Sequence, residues 1–85
     1  MGFLFTIILY VVSMTNTVTG TVTDSREGDR LIMVEVSSSI DQTYTNINGE
    51  YTIKYAENDS ITFRYVGYNS VTVCAENCKD VTLSY

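Results

Sequence analysis

The sequence TNINGEYTI, residues 45–53, contains an Asn-Gly pair followed by a segment in which apolar and polar residues alternate. Tyr51 and Ile53 are the apolar members of that segment, and a β-strand places such alternate residues on one face. Asn48-Gly49 is the preferred pair for a two-residue type I′ hairpin turn, in which both central residues take a positive φ. The stretch therefore predicts a reversal between two strands, with Asn48 and Gly49 as its turn residues.

The same alternation recurs along the chain from Thr17 onward, for example at Ile32, Val34 and Val36. Gly-containing and acidic breaks separate the alternating segments by roughly ten residues, a spacing typical of β-sandwiches. Each segment presents one apolar and one polar face, as two packed antiparallel sheets require. We predict an all-β, seven-stranded antiparallel sandwich, with strands near residues 17–23, 31–38, 42–46, 50–55, 60–66, 70–74 and 80–85.

Length and charge exclude several classes of function. The 85 residues suffice for one small domain, and the formal net charge of −5 repels nucleic acid. The chain has no histidine, the usual acid or base at neutral pH and the commonest metal ligand. We expect no enzyme activity, because no nucleophile, base and orienting group come together in the sequence.

The N-terminal segment differs in composition from the rest. Residues 3–12, FLFTIILYVV, are almost all apolar, too few for an ordinary membrane span but suited to the apolar region of a secretory signal. We predict a signal peptide or hydrophobic segment over residues 1–16, followed by the domain at 17–85. A buried first strand or short helix is the alternative.

Residues 45–51 are also rich in oxygen-bearing side chains, as a cation-binding loop would be. A calcium loop needs several charged oxygen ligands, and the only carboxylates nearby are Asp41 and Glu50. Asn46 and Asn48 supply neutral amides instead. We therefore predict a turn rather than a metal site, and no cofactor.

Cys74 and Cys78 lie close together between the last two predicted strands. In an exported protein such a pair normally oxidises, so a disulfide is favoured over free thiols. Two thiols without histidine do not make a zinc site, and the spacing differs from the C-x-x-C redox motif.

Several tyrosines are candidates for ligand stacking. Tyr51, Tyr55, Tyr65 and Tyr85 share the parity of the apolar faces, which predicts that they belong to the core or its border. The candidates for an exposed binding surface are Tyr44 and Tyr68. Gly67, next to Tyr68, is predicted to lie in a structural turn.

Five segments in order resemble one known family. They are VTGTVTD at 18–24, GDRLIMVEV at 28–36, TNINGEYTI at 45–53, ITFRYVGY at 61–68 and DVTLSY at 80–85. Together they resemble the carboxypeptidase regulatory-like domain at the N-terminus of SusC/RagA-type TonB-dependent outer-membrane receptors. The chain departs from the family pattern at Arg30, where proline is frequent, and at Ile32-Met33, where a small Pro-Gly-like step is usual.

The resemblance implies a transthyretin-like (prealbumin-like) Greek-key sandwich that is not catalytic. It also implies export to the periplasm or outer membrane of a Gram-negative bacterium of the Bacteroidetes type. The expected partners are other parts of a TonB-dependent receptor or periplasmic proteins, with membrane association only through the receptor or an uncleaved N-terminal segment. The chain would then be a fragment of such a receptor or a free-standing domain.

The leading prediction is a non-catalytic accessory domain of a nutrient-uptake receptor. One alternative is an autonomous exported module of the carbohydrate-binding or adhesin type, using Tyr44 and Tyr68. A second alternative is a regulatory domain associated with a carboxypeptidase.

Overall fold

Two β-sheets make up the part of the protein that the computed structural model describes, residues 16–85. One sheet has the order β4-β1-β7 and the other the order β3-β2-β5-β6. Apart from one turn of 3-10 helix at Ala75–Asn77, all regular structure is β-strand, which confirms the all-β prediction. The strands are β1 (Asn16–Asp24), β2 (Glu35–Ser37), β3 (Gln42–Tyr44), β4 (Glu50–Tyr55), β5 (Ser60–Arg64), β6 (Val71–Cys74) and β7 (Val81–Leu83).

The core fills the space between the sheets. Its largest fully buried side chains include Phe63, Ile53, Ile61 and Leu83. The ring of Tyr51 packs edge-on against Phe63, with 5.3 Å between centroids. Most alternating positions behave as predicted, because burying one face of a strand fixes which residues point inward.

The prediction of a strand over 31–38 is wrong for its first half. Leu31 and Val34 are both buried, whereas Ile32 is exposed. The chain bends between them, and Met33 has a φ of 64°. The bend places residues three apart in the core, which a strand with period two cannot do.

The prediction of purely antiparallel sheets is also wrong at one place. The first part of β1 pairs antiparallel with β4, but Val22, Thr23 and Asp24 pair parallel with β7. The first and last strands of the domain are thus neighbours that run in the same direction. Alternation within a strand carries no information about such long-range neighbours.

The turn in TNINGEYTI differs from the predicted hairpin. β3 and β4 belong to different sheets, so the turn connects the two layers. Gly49 has a φ of 72°, but Asn48 does not have a positive φ, which excludes type I′. Gly49 N–H donates to the Asn46 carbonyl at 2.9 Å, and the Asn46 amide oxygen accepts from the N–H groups of Asn48 and Glu50. The loop is therefore a three-residue reversal organised by the side chain of Asn46.

We expect Gly49→Val to cost about 3 kcal/mol of stability and Asn46→Ala about 1 kcal/mol. A side chain at Gly49 would occupy a left-handed conformation, with its Cβ 2.8 Å from Cβ of Arg30. Asn46→Ala removes only an acceptor for two exposed N–H groups. Urea denaturation of both variants measures the difference, and equal, negligible losses would contradict this account.

The predicted signal peptide falls almost wholly outside the described residues. Asn16, the last residue assigned to it, is the first residue of β1. Within residues 16–85 there is no helix of the length and apolar character that crossing a membrane requires.

Candidate functional site

Three side chains form a row across the outer face of the four-stranded sheet. Glu35 of β2 lies opposite Tyr44 of β3 on one side and opposite Arg64 of β5 on the other. Arg64 Nη1 donates to Glu35 Oε2 at 3.4 Å. An exposed pair of this kind contributes less than about 1 kcal/mol to stability. Its position is therefore of more interest for binding than for folding.

An open groove of about 410 Å³ lies over this row, and we call it the Tyr44 groove. Its walls include two apolar side chains, Met33 (62% exposed) and Val66 (96% exposed). Val66 belongs to a turn in which Tyr68 N–H donates to the Tyr65 carbonyl and Gly67 has a φ of 86°. The groove is lined by Met33, Glu35, Tyr44, Arg64, Tyr65, Val66 and Ser70.

A second open groove, of about 350 Å³, also has Tyr44 in its lining. Thr19, Thr43, Asn46 and Thr52 contribute to its polar lining. Tyr44 lines both grooves and is 47% exposed. The two grooves thus meet at one tyrosine on the border between the sheets.

Tyr68, the other predicted surface residue, lies in a different cluster. Its hydroxyl donates to Asp24 Oδ2 at 3.1 Å, and its ring packs against the rings of Tyr65 and Tyr85. Partial burial, and next the hydrogen bond to Asp24, raise the pKa of Tyr68. It is half-buried and lines neither groove, so a binding surface at Tyr68 stays a prediction.

Tyr85 closes the same cluster from the outside. The Arg26 guanidinium lies 4.2 Å from the centroid of its ring, a cation–π contact. Tyr85 is 49% exposed, more than its parity with the core face predicted. β7 ends at Leu83, so the strand alternation no longer sets the direction of this side chain.

The predicted disulfide is not present in the structure, because Cys74 and Cys78 are both free thiols. Cys74, which precedes the 3-10 helix, is exposed, whereas Cys78, which follows it, is buried. The Tyr51 hydroxyl donates to the Lys79 carbonyl at 2.7 Å, which leaves the Cys78 thiol to donate to the hydroxyl oxygen at 3.0 Å. Burial raises the pKa of the Cys78 thiol and that of the Tyr51 hydroxyl.

Two aspartates connect the turn between β2 and β3 to neighbouring strands. Asp41 Oδ2 accepts from Lys54 N–H on the outer edge of β4 at 3.0 Å. Asp59 Oδ2 accepts from the N–H and hydroxyl of Ser39 and from Ala56 N–H. The N–H donors of Lys54 and Gln42 lower the pKa of Asp41, and those around Asp59, led by Ala56 N–H, lower its pKa. These carboxylates stabilise the edges of the sandwich rather than form a catalytic pair.

We expect these two carboxylates to make the fold sensitive to acid. Their folded-state pKa values lie below the ordinary value of 3.8, so their stabilisation is present above that pH and is lost as pH falls through the folded values. As the pH is lowered from about 5 to about 2, the urea concentration at the unfolding midpoint should decrease. Asp59→Asn should make this slope of midpoint against pH shallower. Asp29→Asn is the control, because Asp29 is exposed and its carboxylate accepts no hydrogen bond within residues 16–85. An equal slope in wild type and Asp59→Asn would contradict the assignment.

Residues 16–85 contain no group of three His, Cys, Asp or Glu side chains that could hold a metal ion. In the described part of the chain, every fully buried side-chain nitrogen and oxygen has a hydrogen-bond partner. The buried polar atoms of these residues thus serve the fold.

The model of the CarboxypepD_reg-like domain matches residues 18–84 of the chain. The chain belongs to this family. Domains of the CarboxypepD_reg-like family are regulatory and non-catalytic. The resemblance to the carboxypeptidase regulatory-like domain is thereby confirmed. No curated protein matches the chain.

The segments that resembled the CarboxypepD_reg-like domain serve the fold. Asp24 from the first segment accepts the hydroxyl of Tyr68 from the fourth. Thr45 and Gly49 organise the connection between the sheets, and the hydroxyl of Tyr51 contacts Lys79 before β7. These contacts join segments that are widely separated in the sequence.

The Tyr44 groove was only partly predictable from the sequence. The sequence indicates that Tyr44 is an exposed aromatic residue. For Glu35 and Arg64 it indicates only that they are polar residues of two separate strands. The strand register that puts them beside Tyr44 could have identified the group. That register depends on the order β3-β2-β5, which local alternation does not specify.

Proposed function

We propose that this domain is a non-catalytic accessory module of a SusC/RagA-like TonB-dependent outer-membrane receptor for nutrient uptake, exposed to the periplasm. The family match over residues 18–84 carries the proposal. Five ordered segments resemble the domain found at the N-terminus of such receptors, and the apolar residues 3–12 resemble an export signal. A folded module of this kind would act through its surface, as a spacer or a docking element.

The finer topology belongs to the same proposal. The order β4-β1-β7 and β3-β2-β5-β6 distributes early and late strands over both sheets. Consecutive strands β3 and β4, and likewise β6 and β7, lie in different sheets. This arrangement supports a seven-stranded Greek-key sandwich of the transthyretin type.

Export can be tested with a reporter that is active only outside the cytoplasm. The chain fused to alkaline phosphatase in a Gram-negative host should give active enzyme, because residues 1–16 direct export. Ile8→Arg interrupts the apolar run and should abolish activity, whereas Thr6→Ser should not. An inactive wild-type fusion would refute the periplasmic location.

The receptor role needs a separate test in the native cell. An antibody raised against residues 17–85 should detect the domain in the outer-membrane fraction, within a larger receptor polypeptide or cross-linked to one. Mass spectrometry of that species should identify a plug and barrel. Detection only as a free periplasmic chain would contradict the proposal, and cross-linking to a peptidase would favour the carboxypeptidase-associated alternative.

A further inference from the structure

We propose that the Tyr44 groove binds a neutral oligosaccharide. The proposal goes beyond the accessory role and does not depend on attachment to a receptor. It rests on the Glu35–Arg64 pair, on the exposure of Tyr44 and on the second groove beyond it. The site includes Tyr44 and not Tyr68, because Tyr68 lies in the cluster with Asp24.

The ion pair selects for a ligand without charge. Glu35 and Arg64 neutralise each other, so the groove offers little net attraction to an anion or a cation. Both side chains remain partly accessible, at 31% and 63%. A sugar hydroxyl can donate to the carboxylate and accept from the guanidinium, and neighbouring hydroxyls can use both groups at once. The net charge of −5 further disfavours acidic polymers.

Tyr44 supplies the apolar part of the site. Its ring is about half exposed, and Tyr44 lines both grooves. A tyrosine presents a rigid apolar ring with a polar tip, which suits a pyranose with its apolar C–H face and its rim of hydroxyls. The Gln42 amide lies 3.4 Å from the Tyr44 hydroxyl and orients it.

The wall at Met33 is unusual for a purely structural loop. Met33 has a φ of 64° and remains largely exposed, although a glycine would adopt this conformation without strain. Strained backbone of this kind concentrates at ligand sites. With Val66 on the other wall, Met33 gives the floor of charged groups an apolar border.

The dimensions fit an extended ligand. The Tyr44 groove, at about 410 Å³, falls within the range of roughly 300–1,000 Å³ for small-molecule sites. The second groove, which Tyr44 also lines, adds about 350 Å³. An oligosaccharide that crosses Tyr44 would place sugar units in both grooves, which a single monosaccharide could not do.

The direct test is a titration of the ¹⁵N-labelled full chain, followed by amide chemical shifts. The probes are maltohexaose, xylohexaose and mannohexaose, with a neutral Ser-Gly hexapeptide for comparison. At least one hexasaccharide should shift the amides of Glu35, Tyr44 and Arg64, with a Kd of about 1 mM because the site is open. The peptide should not shift them.

Variants distinguish a site from general surface effects. Tyr44→Ala should weaken binding at least about tenfold, and Glu35→Gln, which breaks the ion pair at constant shape, about threefold. Tyr85→Ala is the matched control, since Tyr85 is as exposed as Tyr44 but belongs to the other cluster, and it should leave Kd unchanged. A dispersed spectrum establishes that each variant is folded.

Three outcomes would overturn the proposal. One is that none of the three hexasaccharides shifts these amides at about 20 mM. Another is that the shifts persist unchanged in Tyr44→Ala, or that the peptide produces them equally well. The third is that the same amides shift with protein concentration alone, which would assign the groove to contact between two copies of the chain.

Discussion

Replacing Gly20 with alanine should prevent the domain from folding. Gly20 lies within β1, and a Cβ at this position would be 1.6 Å from the carbonyl oxygen of Lys79 and 2.3 Å from its carbonyl carbon. The obstacle is backbone, which cannot rotate away as a flexible side chain could. The same carbonyl accepts the Tyr51 hydroxyl, so moving Lys79 would also break a part-buried hydrogen bond.

The expected cost is about 5 kcal/mol, comparable with the whole stability of a domain of this size. Circular dichroism should therefore show no cooperative thermal transition for Gly20→Ala. Gly28→Ala is the control for adding a methyl group, because Gly28 has a φ of 73° but nothing within 4 Å of its Cβ position. It should cost only about 1 kcal/mol of backbone strain. A cooperative transition for Gly20→Ala near the wild-type temperature would disprove the close approach of β1 to Lys79.

The strands were predictable because the sandwich buries one face of each. Ile53, Ile61 and Phe63 alternate with polar residues, and a slip by one residue would expose them all. β4 agrees with its predicted range of 50–55. The prediction fails where the residues do not belong to a regular strand with one buried face. Ile32 lies in the bend after Leu31, and Tyr85 lies beyond the end of β7.

The turn and the site show two other limits of local sequence. Asn48-Gly49 signals a reversal, but the amide of Asn46 and the separation of β3 from β4 determine its type. Tyr44 is recognisable alone, whereas its association with Glu35 and Arg64 results from pairing strands distant in the chain. Features that depend on contacts between segments far apart in the sequence can be identified only from the structure.

The pattern shared with the family concerns folding more than ligand choice. Gly20 allows a close approach of two backbone segments, and Gly49 adopts a left-handed turn conformation. Asp24 and Thr45 are buried polar residues whose side chains form hydrogen bonds. The side chains on the outer face of the four-stranded sheet do not have these structural roles. Substitutions of these exposed side chains are therefore expected to have little effect on stability.

Thr45→Val should cost about 4 kcal/mol, although the two side chains have nearly the same shape. Thr45 is 1% exposed, and its hydroxyl donates to the Leu31 carbonyl at 2.6 Å and accepts from Val34 N–H at 2.9 Å. Its own N–H and carbonyl pair with Val34 and Met33. Thr45 thus pairs with backbone groups of three residues of the bend. Valine would leave two of these buried polar groups without partners, at about 1–3 kcal/mol each.

The variant Thr45→Ser distinguishes the effect of the hydroxyl on stability from that of the methyl group. Serine keeps both hydrogen bonds and removes one buried methyl, which should cost about 1 kcal/mol. Urea denaturation gives both values, with equal m-values expected because the folded state stays compact. If serine proves as destabilising as valine, packing holds the bend. If valine alone is severe, the hydroxyl holds it, and the chain reaches the bend at Met33 because Thr45 compensates for the pairing that a strand would have supplied.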